Sequence, residues 1–159
     1  METKAEPPLG GISTAGWHLT YVANETGMVR DLEAAHKSDL LWPLWNREAT
    51  VDARFSIGLL LSADGTVLDA SRDMPAFQAG IAPGMRIVSI NGRAFTPEQL
   101  HRSIAATTSG GKLQMIREHN GVHATVEVHY QNGERFPSLV REPKDKDLLS
   151  DIVAPHAVN

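Results

Sequence analysis

Between residues 55 and 130 the chain is cut by turn signals so closely spaced that most of what lies between them can only be short strands. Asp64-Gly65, Ala82-Pro83-Gly84, Asn91-Gly92 and Asn120-Gly121 each favour a reversal, because glycine and asparagine reach positive φ and proline presets a turn. The segments they separate are β-rich: 55–61, Val67–Ala70, Arg86–Ile90, 113–117 and 122–130. In the last of these Val122, Ala124, Val126, Val128 and Tyr130 alternate with His123, Thr125, Glu127 and His129, which assigns one face to the core. The pattern predicts a mainly β fold built from hairpins.

Two segments interrupt that pattern with helical signals. Residues 75–80 read as a short helical turn ended by Gly80. Thr96-Pro97-Glu98-Gln99 combines an N-cap hydroxyl, a proline at the first helical position and an acid and amide in the first turn. With Leu100, Ile104 and Ala105 on one face, it predicts a helix over 97–107. Upstream, Trp17–Val22 alternates as a half-buried strand does, and Met28, Val29, Leu32 and Ala35 fall near helical spacing, predicting a short helix over 28–37. The apolar stretch from Leu40 to Trp45 is broken by Pro43 and reads as an irregular packed loop. Residues 1–16, rich in Pro, Gly, Ser and Thr, read as a flexible tail or linker, and 131–159, with apolar anchors scattered among charges, as a C-terminal extension.

Composition removes several functional classes. At 159 residues the chain has room for one ordinary core. A formal net charge of -4 and an aromatic fraction of 6% supply neither phosphate neutralisation nor base stacking, so nucleic acid is not an expected partner. No apolar run approaches the roughly 20 residues that span a bilayer, and the opening residues lack the apolar middle of a signal peptide, so a soluble chain without a membrane partner is expected. The absence of cysteine excludes disulfides, thiolate catalysis and Cys-based zinc sites, and leaves the compartment open.

The run from Asp73 to Gly92 (DMPAFQAGIAPGMRIVSING) resembles the central signature of PDZ domains: Pro-Ala, two variable residues, Ala-Gly, an apolar residue, and later an apolar strand closed by Asn-Gly. It departs from that form at Met85, where an Asp is common. The resemblance implies a mainly β (α+β) fold with two helices, a PDZ-like partly open β-barrel that binds a peptide or protein C-terminus by strand addition between its second strand and second helix. Carried over residue by residue, Ser56, Ile57, Gly58 and Leu59 look like the loop whose amides hold the terminal carboxylate, and Leu59, Leu60 and Leu61 like the pairing strand. Leu100, His101 and Ile104 are the candidates for the opposite wall, with the choice between groove and core left open.

A narrower resemblance covers nearly the whole chain. Gly16-Trp17, the segment Phe55-Ser56-Ile57-Gly58-Leu59, the PDZ signature, Arg135-Phe136-Pro137-Ser138-Leu139, Leu148-Leu149-Ser150-Asp151-Ile152 and Ala154-Pro155 together look like the C-terminal part of bacterial metallopeptidases of the glycyl aminopeptidase family. That implies a PDZ domain over 17–130 with an insertion at 24–54 between its first and second strands, flanked by the tail 1–16 and the extension 131–159. It also implies an upstream, zinc-dependent catalytic domain of the same polypeptide as partner, and a periplasmic or envelope location.

The chemistry of that family does not come with it. Its zinc site needs His-Glu-x-x-His on a helix, and this sequence contains none, so no cofactor and no catalytic residue is expected in this stretch, zinc belonging to the catalytic domain. His119 and His123 have zinc-like spacing, yet Asn120-Gly121 between them makes a hairpin, and solvated strand and turn histidines are the expected reading. His101 is either a groove residue that bonds a peptide hydroxyl or an ordinary surface histidine. Gly11-Ile12-Ser13-Thr14-Ala15 narrowly misses the nucleophile-elbow pattern and is read as linker.

Overall fold

A computed structural model describes residues 10–24, 26–27, 50–144, 146 and 148. The expected helix over 28–37 and the loop from Leu40 to Trp45 lie outside the described residues. In chain order the elements are α1 (Gly10–Thr14), β1 (Trp17–Val22), β2 (Val51–Ala53), β3 (Leu59–Leu61), β4 (Val67–Ala70), α2 (Pro75–Gln78), β5 (Arg86–Ile90), β6 (Arg93–Ala94), α3 (Pro97–Ala106) with a 3-10 turn at Thr107–Ser109, β7 (Gln114–His119), β8 (Val122–Glu127) and β9 (Phe136–Arg141). The fold is mainly β with a few short helices, and among the described residues none of its sheets closes on itself. Among the described residues no helix is long and apolar enough to cross a membrane.

The chain divides into two compact units, Met1–Tyr21 with Pro137–Asn159, and Val22–Phe136. In the first, β1 pairs with β9 in a two-stranded sheet, and the Glu142 amide donates to the Gly16 carbonyl at 2.8 Å. Two expectations change here. Residues 10–14, expected in a flexible tail, are helical, with the Ala15 amide donating to the Gly11 and Ile12 carbonyls at 3.1 Å. Trp17–Val22 is a strand as its alternation predicts, but it does not open the larger sheets; its partner is a strand in the expected C-terminal extension. Alternation reports which face of a strand is buried and carries nothing about which distant strand completes its ladder.

The described residues of the second unit form two antiparallel sheets, ordered β2-β3-β4 and β6-β5-β7-β8. They are stitched together where β4 meets β5: Val67 donates to the Met85 carbonyl at 2.7 Å and Ile87 to the Gly65 carbonyl at 2.8 Å. One cluster of buried side chains gathers Ile57, Leu59, Leu61, Ile81, Ile87, Ile90, Leu100, Ile104, Leu113 and Met115, all at most 1% exposed. Each such burial contributes about 1.5–3 kcal/mol, which is why these short strands hold although a lone hairpin would not.

Local signals are honoured closely in this unit. Thr96 caps α3, its hydroxyl oxygen accepting from the Gln99 amide at 3.0 Å, with Pro97 opening the helix. Asn120-Gly121 joins β7 to β8, whose register pairs His119 with Val122 and Gln114 with Glu127. The alternation of the second arm holds toward its end, where Val128 and Tyr130 are buried, and lapses at the tip, where Val122 stays 66% exposed beside the turn.

Candidate functional site

The loop before β3 forms because one carbonyl collects its amides. Residues 55–58, expected to be strand, instead turn: the amides of Ser56, Ile57 and Gly58 all donate to the Ala53 carbonyl, at 3.2, 3.0 and 3.0 Å. Gly58 sits at φ 85, and a Cβ there would collide with Cβ of Met74, so only glycine fits. The outward carbonyls of the loop are also engaged, Gly58 accepting from Ser71 at 2.8 Å and Ile57 from Ala76, on α2, at 3.0 Å. Three amides thus converge on one oxygen, the geometry of an anion cradle, and the oxygen is the chain's own.

From this loop β3 runs between two partners. On one side Leu59, Leu60 and Leu61 pair with Ala70, Asp69 and Val67, the register shifting between Leu60 and Leu61. On the other they pair with Ala53, Asp52 and Val51. The edge expected to be open for an added peptide is therefore occupied by Val51–Ala53, inside the expected insertion at 24–54. Val51 and Ala53 are 4% and 1% exposed and belong to the same buried cluster as Leu59 and Leu61. Asp52 faces outward, and both its carboxylate oxygens bind the Arg54 guanidinium, at 3.0 and 2.7 Å, while Oδ1 also accepts from the Arg54 amide. That pairing holds the Arg54 guanidinium above its already high ordinary range, the hydrogen bond it donates to Asp52 outweighing partial burial.

α3 resolves the choice left open among its three candidates. Leu100 and Ile104 are completely buried in the core. His101 lies on the neighbouring face, and its Nδ1 is 3.0 Å from Oε1 of Glu134. The other oxygen of the same carboxylate, Oε2, is 3.5 Å from the Ser56 hydroxyl, which is itself buried and accepts the Arg135 amide at 3.1 Å. Glu134 thereby ties the loop before β3 to α3.

Neither Glu134 nor Ala53 is singled out by the sequence. Glu134 is placed by a buried chain of bonds: Thr107 Oγ1 donates to the Ile104 carbonyl at 2.7 Å and accepts the Gly133 amide at 3.1 Å, while the Tyr130 hydroxyl donates to the Gly133 carbonyl at 2.9 Å. Gly133 is at φ 68, and a Cβ on it would strike the Thr108 hydroxyl. Burial pushes the Tyr130 phenol above its ordinary range. No local spacing signals these contacts, since Glu134 reaches residues far away in sequence. Ala53 was in principle legible, as Val51–Ala53 stands one loop before a strand.

His119 and His123 lie in β7 and β8, opposite Val122 and Glu118 respectively. Among the described residues no group of three or more His, Cys, Asp and Glu is arranged to hold a metal ion.

No protein-family model matches this chain, and no curated protein does. Among solved structures, the crystal structure of the HtrA3 PDZ domain bound to a phage-derived ligand (FGRWV) aligns with a TM-score of 0.35 at 14% identity, over 78% of this chain and 93% of that one.

Proposed function

We propose that this chain is a non-catalytic, PDZ-like peptide-recognition module whose strand-addition edge is held by its own segment Val51–Ala53. The observation that carries the reading is the Ala53 carbonyl in the cradle of the Ser56, Ile57 and Gly58 amides, at the end of a strand laid antiparallel along β3. That is the place and direction in which strand addition would seat a peptide end. The signature run supports it further, since Gly80, Gly84 and Gly92 all close turns and α3 follows with its cap formed. A foreign chain end binds such a module only when Val51–Ala53 leaves, so its apparent affinity is reduced by the fraction of molecules that are open.

A second reading rests on the burial of Val51 and Ala53 at 4% and 1%. If the segment never leaves, the unit is a scaffold or lid whose recognition edge is permanently filled. Val51→Asp separates the two, because an unpaired carboxylate in that position is costly enough to expel the strand. Peptides with free C-termini, titrated against both proteins while backbone amide shifts are followed, should leave the Leu59–Leu61 amides of the wild type unmoved and perturb them in the variant at micromolar to millimolar concentration. Binding by neither protein leaves only the scaffold. Direct binding by the wild type with the Val51–Leu61 pairing intact overturns self-occupation.

The resemblance to glycyl aminopeptidase-family enzymes motivates a wider context. In it the module serves substrate presentation or regulation for an upstream catalytic domain that holds zinc, in the periplasm or cell envelope. A reading frame without His-Glu-x-x-His upstream of these residues would sink that context. Cleavage of peptides by the purified chain with zinc, abolished by a point substitution, would sink the non-catalytic reading.

A further inference from the structure

β8 ends the four-stranded sheet of the second unit, and its sequence is complementary to itself. Its ladder with β7 includes the pairs His119 with Val122 and Met115 with Val126, and the Val128 amide donates to the Leu113 carbonyl at 2.9 Å. In an antiparallel ladder bonded and non-bonded pairs alternate, so Val122, Ala124, Val126 and Val128 bond inward to β7. The main-chain groups of His123, Thr125 and Glu127 then point away from the sheet, and β8 ends the strand order. Among the described residues none of these six groups has a backbone partner. The three side chains are exposed as well.

We propose that β8 pairs antiparallel with β8 of a second copy of this chain, about a two-fold axis at Thr125. This register sets outward-bonding residues against outward-bonding residues, as an antiparallel ladder requires. It places Thr125 opposite Thr125, and His123 of each copy opposite Glu127 of the other. Ala124 meets Val126 on the opposite face, extending the apolar side of the sheet across the axis. A single sequence thus supplies an imidazole-to-carboxylate pair, a hydroxyl pair and an apolar pair at once, all in register and on the correct faces. Sliding the axis by one residue either way shortens the ladder and breaks the His-to-Glu match. Within its own sheet His123 stands opposite Glu118, whose carboxylate already accepts from the Gly121 amide and pairs with Arg86, so the partner's Glu127 offers the imidazole an acceptor of its own. The edge has no lysine, proline or bulge in Val122–Glu127 to block self-pairing, and its one charged side chain, Glu127, meets His123 in this register.

The test uses the whole chain. Sedimentation equilibrium from about 10 μM to 1 mM should show a monomer–dimer equilibrium. Glu127→Lys removes the carboxylate acceptor from two symmetry-related pairs and should weaken the dimer about tenfold, and His123→Glu combined with Glu127→Lys should restore it. Thr125→Pro removes only an outward donor and should abolish dimerisation while the monomer stays folded by circular dichroism. Isotope-filtered spectra of mixed labelled and unlabelled protein should show an intermolecular contact between the Hα atoms of Ala124 and Val126. A wild type that is monomeric at 1 mM overturns the proposal, as does a dimer indifferent to both Glu127→Lys and Thr125→Pro.

Discussion

Two strands of the second unit, β3 and β8, are treated in opposite ways along the side where a further strand could be added. At β3 the edge is filled from within: Val51–Ala53 lies along it, Ala53 caps the amides of the preceding loop, and the side chains involved are buried. At β8 the edge carries exposed His123, Thr125 and Glu127 and no backbone partner among the described residues. The difference follows from what each strand does for the core. β3 is Leu-Leu-Leu with two of its side chains completely buried, and leaving it unpaired would strand peptide groups beside the driest part of the molecule. β8 alternates apolar with polar residues, keeps Val122, His123, Thr125 and Glu127 exposed, and can leave its outer groups to water. An edge can wait for a partner only where solvent can stand in for that partner.

The contrast can be broken most forcefully at Gly58. Gly58→Ala meets both a positive φ and Met74, and should cost about 3 kcal/mol in denaturant unfolding, whereas Thr125→Ala on the open edge should cost no more than about 1 kcal/mol. Equal losses would mean that the closed edge is no more structural than the open one.

A smaller effect is expected at the bonds that bring Glu134 to the closed edge. Tyr130→Phe leaves the Gly133 carbonyl without its donor and should cost about 1 kcal/mol at neutral pH. The pH dependence gives a sharper reading. Because burial raises the Tyr130 phenol, the folded state holds that proton more tightly than the unfolded chain. Its contribution is therefore complete below the ordinary phenol range near about 10 and is lost as pH rises through the folded value. Unfolding measured from pH 8 to 11 should show this alkaline decline in the wild type and a shallower one in Tyr130→Phe. Parallel curves would place the decline elsewhere.

The smallest effect belongs to Glu134 itself. Glu134→Gln keeps the shape and removes the charge shared with His101, whose side chain is 38% exposed, so the loss should not exceed about 1 kcal/mol. The imidazole resonances of His101 should move while the Leu59–Leu61 amides keep slow hydrogen exchange. If those amides begin to exchange quickly, the carboxylate is part of what keeps the edge shut, and closure is less intrinsic to Val51–Ala53 than proposed.

What the residues reveal in advance is whatever depends on near neighbours. Thr96 to Gln99 announced α3 because a cap, a proline and an amide act within one turn. Asn120-Gly121 and the alternation after it announced the β7–β8 hairpin and its buried face for the same reason. At the site, Gly58 marked a bend for the same reason, while the strand expected over 55–61 begins only at Leu59 because the amides of Ser56, Ile57 and Gly58 turn back onto Ala53.

What only the folded chain decided is what those amides gather and which strands meet. That Ala53 rather than a ligand sits in the cradle, that Trp17–Val22 pairs with Phe136–Arg141, that Leu100 and Ile104 belong to the core while His101 faces Glu134: each is a choice among distant partners of similar local character. Local sequence sets the conformations a segment can adopt, through sterics and hydrogen bonds a few residues long. Which of its possible partners it keeps is set by shared burial, a property of the assembled core rather than of any one segment.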